Sequence, residues 1–263
     1  MPGDSEMSEQ RWDAARYDRL FNYVSRHGRD LMSLLAPVSG ERVLDLGCGT
    51  GELAAELADL SIQVHGIDAD ASMIAQARAK HPQVRFEQAD GHDFVLTDPV
   101  DAVLSNAALH WMLDPSAVIA RVKAALRPGG RFVAELGGEG NVAIIRSAVG
   151  EAAEAAGVDS TRLHSPWFFP SPAKYATLLE AGGFRVRLIQ NFDRLTPLND
   201  CPEGIVDWLR MFGAEFLAGV PSDLREQVMH DAGERCRPAL FRDGRWHADY
   251  VRLRVWAELP EHA

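Results

Sequence analysis

The stretch V-L-D-L-G-C-G-T-G, Val43 to Gly51, decides how this chain is read. Val43 and Leu44 read as the end of a buried strand. Gly47, Gly49 and Gly51 follow at alternate positions, and Glu52–Leu60 then resumes a helix-forming pattern. Glycine is wanted where the backbone takes positive φ, or where a ligand must approach with no Cβ in the way. A loop of this kind opening a helix points N–H groups outward, and the crevice at strand C-termini is where open α/β sheets bind ligands. A glycine turn with no ligand is the alternative reading.

Two details narrow the ligand. The dinucleotide fingerprint G-x-G-x-x-G/A requires Gly or Ala at position 52, which is Glu52. Asp45, two residues before the first glycine, would oppose a pyrophosphate and attract an ammonium group. The loop therefore suits a cofactor with a positive end. A nicotinamide-dependent oxidoreductase is opposed by both acids and by the lack of a Tyr-x-x-x-Lys pair after the fifth strand. Further on, V-H-G-I-D ends a second apolar strand at Asp68, where an acid can accept from both hydroxyls of a ribose. Its other possible role is to cap the helix Ala71–Lys80.

Outward from these motifs, strands at Val43–Leu46, Val64–Ile67, Val84–Gln88, Ala102–Ser105 and Arg131–Glu135 alternate with helices at Glu52–Asp59, Ala71–Lys80 and Pro115–Leu126. Such alternation predicts a parallel sheet covered on both faces. Right-handed crossovers then bring the strand C-termini, with Asp45, Asp68, Asp90 and Asn106, to one edge. Arg127-Pro128-Gly129-Gly130 reads as a structural turn. After Gly137 the pattern changes. An alanine-rich helix covers Val142–Ala156, Ser171 and Pro172 open another that Gly182 and Gly183 close, and helical signals return at Gly204–Ala218 and Ser222–Cys236. Phe184–Leu188 and Tyr250–Trp256 alternate as strands and are expected to be antiparallel neighbours at the sheet edge.

The composition sets limits. With 263 residues, 46% of them hydrophobic, the chain can bury a large core. A net charge of −11 argues against nucleic acid and anionic membrane as partners, leaving small solutes. Three scattered cysteines, Cys48, Cys201 and Cys236, suit neither a disulfide framework nor a metal site. The polar, acidic start and the lack of a long apolar run point to a cytoplasmic protein.

Taken together, V-L-D-L-G-C-G-T-G, G-I-D-A-D-A-S-M-I, F-E-Q-A-D, S-N-A-A-L-H-W and L-R-P-G-G-R-F-V resemble the motif series of class I S-adenosylmethionine-dependent methyltransferases, over roughly Arg42–Glu135. A looser similarity, carried by A-E-L-G-G-E-G-N, W-F-F-P-S and I-V-D-W-L, extends to the branch that includes trans-aconitate methyltransferase. The resemblance implies an α/β, Rossmann-like, seven-stranded and mostly parallel sheet with an antiparallel edge strand, and a helical cap over the strand C-terminal edge. One domain is expected over 1–263, with a core at about 38–136, 171–194 and 248–258 and a cap from 11–36, 137–170 and 195–247.

The implied cofactor is S-adenosyl-L-methionine, with S-adenosyl-L-homocysteine as product and no metal. Its expected contacts are Asp45, Gly47, Gly49, Gly51, Asp68, Ala69, Met73, Asp90, Gly91 and Asn106. Asp90 would meet the adenine amino group beside Gly91, and Asn106 the methionine portion. Trp12 and Tyr17 are lid candidates on a leading helix that closes over the cofactor in the resembling family. Met73 also reads as core, and Asp90 as a turn residue. The expected acceptor is a small molecule with carboxyl oxygen favoured, a natural-product O-, N- or C-methyltransferase and a non-catalytic cofactor-binding module being the alternatives, and its wall is expected from Trp111, Gly138, Asn141, Trp167, Phe168, Trp208 and Phe212, though each ring could equally be core. His110 is the catalytic candidate, as general base or as a packing residue beside the cofactor. None of Arg16, Arg26, Arg146, Arg162 and Arg210 is marked by spacing as a carboxylate clamp. A monomer or homodimer is expected.

Overall fold

The computed structural model describes residues 13–21 and 30–261. They form two compact units: a larger one from Ala14–Asn141, Trp167–Leu195 and Tyr250–Ala263, and a smaller one that includes Val142–Pro166 and Thr196–Asp249.

The larger unit opens with α1 (Ala14–Phe21) and α2 (residues 30–35). Then follow β1 (Arg42–Leu46), α3 (Glu52–Asp59), β2 (Gln63–Asp68), α4 (Ala71–Lys80), β3 (Arg85–Gln88), β4 (Val100–Asn106), α5 (Pro115–Ala125) and β5 (Leu126–Gly137). After the interruption come α7 (Pro172–Ala181), β6 (Arg185–Pro197) and β8 (Arg245–Glu258), of which the last two extend into the smaller unit. The sheet order is β3-β2-β1-β4-β5-β8-β6. Strands β1 to β5 pair in parallel and β8 runs antiparallel to β5. The crossover from β3 to β4 reverses the direction of growth, so the C-termini of β1 and β4, which pair, flank the switch point where ligands bind in such sheets.

Apolar residues on both faces hold the sheet. One side gathers Leu44, Ile67, Phe132, Tyr175 and Leu253, the other Leu31, Leu35, Val43, Leu57 and Val133. Leu31 and Leu35 are fully buried, so α2 belongs to this core. Arg131 fixes the α2 end, donating to the Leu35 carbonyl at 2.6 Å and to both Glu41 oxygens at 2.9 and 2.7 Å.

The Arg127–Gly130 turn lies within β5, whose pairing to β4 jumps from Val100↔Leu126 to Ala102↔Arg131. The extra residues form a bulge. Gly129 takes φ +75° there, and a Cβ on Gly130 would stand 2.8 Å from the Arg127 carbonyl oxygen.

The smaller unit contains α6 (Ala143–Ala155), α8 (Ile205–Phe212), α9 (Arg225–Leu240) and the short β7 (Phe241–Arg242), which forms a hairpin with the start of β8. Helix α9 packs on α6 and α8, and its Val228, Ala232 and Cys236 are buried. No helix among the described residues is long and apolar enough to cross a membrane. Nor does any group of three His, Cys, Asp or Glu among them have the arrangement of a metal site.

Candidate active site

The glycine loop hangs from β1 and β2. The Gly47 and Cys48 N–H groups both donate to the Ile67 carbonyl, at 2.8 and 3.0 Å, which fastens the loop to the neighbouring strand. A Cβ on Gly47 would meet Ala108 Cβ, and one on Gly51 the Phe86 ring, so these two glycines answer to packing. Gly49 differs: it has φ +54°, and a Cβ there would meet nothing within 4 Å. Glu52, the residue that spoils the dinucleotide fingerprint, takes a hydrogen bond from the Thr50 hydroxyl at 2.6 Å and pairs with Lys80.

Two acids stand beside this loop. Asp45 is 2% exposed, and its Oδ2 is buried with no hydrogen-bond partner. Burial, then the charges of Asp68 and Glu52, raise its pKa to about 7. Asp68 accepts from the Gly49 N–H at 3.0 Å and the Asp70 N–H at 2.9 Å. Burial still holds its pKa above the usual carboxylate value. Asp68 is not the cap of α4. That part falls to Asp70, which accepts from the Ser72 and Met73 N–H groups at 2.8 and 3.0 Å. Asp68 is thus committed to the loop, between the ends of β1 and β2.

Of the other residues expected around the cofactor, Met73 is buried at 4% exposure and Ala69 is exposed, its carbonyl taken by Gln88. Asp90 is turned to His92, accepting from its N–H at 2.8 Å and facing its Nδ1 at 2.6 Å. Burial raises the Asp90 pKa, but these His92 contacts outweigh it and leave the carboxyl below its usual range. Gly91 faces the Met112 side chain, which a Cβ would meet at 2.6 Å. Tyr17 lies on α1, a helix packed near α4, and Trp12 lies outside the described residues.

At the end of β4, Ser105 fixes the strand by donating to the Leu46 carbonyl at 2.7 Å. Asn106 is opposite Glu135 in register. Ala107 then takes φ +57°, uncommon for a residue with a Cβ, while its N–H donates to the Glu135 carbonyl at 2.7 Å. This bend leads into the short turn Leu109–Trp111. His110 is 7% exposed and its Nδ1 accepts from the Gly137 N–H at 3.3 Å. Burial first, and the charge of Arg252 second, push its pKa well below the usual histidine value. The imidazole is therefore neutral near pH 7, with its proton on Nε2.

Around His110 the rings assemble. Its centroid is 5.6 Å from Trp111 and 5.8 Å from Phe169, Trp111 meets Trp167 edge-on at 5.7 Å, and Trp167 stacks on Phe169 at 5.7 Å. Phe168 turns the other way, towards Tyr175, with Lys174 Nζ over its ring at 5.1 Å. Its N–H donates to the His110 carbonyl at 2.8 Å, which joins the two segments. Gly138 and Asn141 are engaged in the fold. A Cβ on Gly138 would collide with Asn191, and Asn141 Oδ1 accepts from the Val251 N–H at 2.9 Å. Trp208 and Phe212 pack on each other at 5.3 Å in the smaller unit, both buried.

Sequence reasoning missed Phe169, Met112 and three arginines, Arg194, Arg252 and Arg254. The signal for the last two was present: R-L-R at 252–254 places two arginines on one face of an alternating strand.

The residues present fit S-adenosylmethionine. A cofactor with a cationic end answers the unpartnered buried oxygen of Asp45, and the open side of Gly49 admits a ligand against the backbone. The comparisons agree. A family model described as a methyltransferase domain matches residues 43–130. An uncharacterised methyltransferase of Schizosaccharomyces pombe is 33% identical over 95% of this chain and 99% of its own. A trans-aconitate 2-methyltransferase of Variovorax paradoxus is 30% identical over 94% and 98%. Among solved structures, the YcgJ protein of Bacillus subtilis shares the fold, with a TM-score of 0.61 at 20% identity over 90% of this chain and 99% of that one. With the loop, its two acids and the switch-point crevice, this similarity along nearly the whole length places the chain in the class I S-adenosylmethionine-dependent methyltransferases.

Proposed function

We propose that the methyl acceptor is a carboxylate oxygen of a small organic acid. The observation that carries this reading is the state of His110, buried, neutral and accepting from Gly137 through Nδ1. A phenol, alcohol or amine has to lose a proton as it reacts and usually needs a base, whereas a carboxylate is ionised at any pH well above about 4. With its acceptor nitrogen occupied, His110 suits the second case. The trans-aconitate 2-methyltransferases among the relatives support the same class of acceptor.

Bound S-adenosylmethionine would supply a methyl group on a sulfonium sulfur, with a neutral thioether as the leaving group that keeps the C–S bonding pair. No proton moves. What remains for the protein is orientation and exclusion of water. In this reading Asp68 holds the ribose, Asp45 the ammonium group, and Asn106 the methionine portion at the end of β4. His110, Trp111 and Trp167 wall the acceptor side. The net charge of −11 supports a small solute as partner, and we take the protein to be a cytoplasmic monomer or homodimer.

Transfer of labelled methyl to a panel of organic acids and phenols tests this. The expected product is a methyl ester, cleaved by mild alkali, formed at a rate nearly flat from about pH 6 to 8. His110→Gln should cost far less than the roughly 10²–10⁴-fold contribution of a positioned base. Transfer to a phenol, with a pH step that vanishes in His110→Gln, would overturn the reading.

A further inference from the structure

The acids towards the strand ends are satisfied in different ways. Glu135 is fully buried, and both its oxygens are filled by Arg194, Arg252 and Arg254. Asp68 gives one oxygen to the Asp70 N–H and the other to the Gly49 N–H. Asp90 is unlike both. Its Oδ1 takes two bonds from one residue, the His92 N–H at 2.8 Å and the His92 Nδ1 at 2.6 Å, while Oδ2 accepts none among the described residues. The ring bond requires the proton on Nδ1, because an ionised carboxylate can only accept.

The frame around this pair is closed. The Asp93 and Phe94 N–H groups donate to the Asp90 carbonyl at 3.2 and 3.0 Å, and buried Phe94 anchors the turn in the core. Two contacts tie the turn to the glycine loop and its acid. The Ala89 N–H donates to the Asp68 carbonyl at 3.0 Å. A Cβ on Gly91 would strike Met112 Sδ at 2.6 Å, and Met112 Cε lies 3.9 Å from where a Gly47 Cβ would stand. Asp90 therefore shares the crevice of Asp68 and the glycine loop, with its side chain 55% exposed and open to a ligand.

We infer that His92 is a positioning residue for cofactor recognition: by pinning Oδ1 of Asp90 it aims Oδ2 at the adenine amino group and makes the site select a 6-amino over a 6-oxo purine. The inference rests on the reading of Asp90 as the partner of that amino group, and it is independent of the methyl acceptor. An exposed ion pair contributes little to stability. Its consequence here is geometric. A carboxylate free to rotate has to be ordered when a ligand binds, which weakens affinity roughly two- to tenfold. An ionised carboxylate accepts from an amino group and repels an oxo oxygen, so fixing its direction raises affinity and selectivity together.

Calorimetry with S-adenosylhomocysteine and its deaminated analogue S-inosylhomocysteine tests this. The wild-type protein should prefer the amino compound by roughly tenfold or more, the effect of a hydrogen bond to a charged group. His92→Ala should weaken S-adenosylhomocysteine roughly two- to tenfold and leave S-inosylhomocysteine unchanged, so the preference narrows. His92 is 32% exposed, so its removal leaves the core intact. His92→Phe keeps the bulk of the ring without the donor and should act as the alanine does. His92→Asn, whose amide nitrogen can stand where Nδ1 stood, should restore the preference. An equal loss on both compounds, a preference unchanged in His92→Ala and His92→Phe, or no recovery in His92→Asn would overturn the positioning role. Asp90→Asn separates this from the reading beneath it, because its amide can donate to an oxo group and should narrow the preference further than His92→Ala does. A preference lost in Asp90→Asn and kept in His92→Ala would remove His92 and keep Asp90 at the adenine. One untouched by Asp90→Asn would remove both.

Discussion

Asp45 is a buried acid whose pKa of about 7 has an open cause: one oxygen without a partner and two further acids nearby. In the free protein it binds a proton below that value. An approaching ammonium group favours the ionised form and drives the proton out. Affinity for S-adenosylhomocysteine should therefore rise with pH up to about 7, by at most roughly tenfold per pH unit, and level off above it. Asp45→Asn should abolish the slope, read by calorimetry in buffers of different ionisation enthalpy. A slope that persists in the variant would place the titration elsewhere. The sign for folding is opposite. With the folded pKa raised, the free protein gains stability from this group at low pH and loses it as pH rises from the ordinary carboxylate range towards 7. The placement of this acid was legible in the sequence, because the strand and glycine-turn pattern puts it at the end of β1 beside the loop. The roles of Gly47 and Gly51 were not, because the side chains they clear, Ala108 and Phe86, come from distant strands and loops.

Helix α4 shows how closely a cap and a binding acid can be confused from sequence. In I-D-A-D-A, both Asp68 and Asp70 precede the helix, and only the bonds tell them apart. Asp70→Ala should cost about 0.5–2 kcal/mol of stability, the usual worth of an N-cap, with cofactor affinity kept. Asp68→Ala should weaken S-adenosylhomocysteine by roughly 1.5–3 kcal/mol for each charge-assisted hydrogen bond lost. Urea unfolding and calorimetry on both variants check the pair, and a reversed pattern would exchange the assignments. Helices α3 and α4 have the bounds expected from sequence, because their apolar spacing and flanking signals agree. Strands β6 and β8 run longer than Phe184–Leu188 and Tyr250–Trp256 suggested. Their extensions place polar residues such as Arg194 and Thr196 at the less exposed positions, so the apolar period-two signal fades while the strand continues.

At the scale of the molecule, β8 is paired along Arg131–Gly137 of β5 and lies between β5 and β6. A chain shortened to end at Gly244 should lose the cooperative unfolding transition, since β5 and β6 would have no common neighbour and Glu135 would lose Arg252 and Arg254. Circular dichroism during thermal melting reads this, and a retained sharp transition would show that the first five strands fold unaided. The parallel strands were legible because β1, β2 and β4 are each followed by a helix within a short span, and β3 and β5 each come closely after a helix and continue the same spacing. The grouping of 142–166 with 196–249 into one unit was not, because it depends on contacts such as α6 with α9 between helices far apart in sequence. The inserted β8 also imposes an order on assembly. During synthesis β6 emerges well before the strand that separates it from β5, so its backbone donors and acceptors, and Arg194 with them, must wait for residues 245–258. Until then the most adhesive surface of the nascent chain is a bare strand edge, and the completion of this enzyme is a late insertion that a chaperone has time to guard.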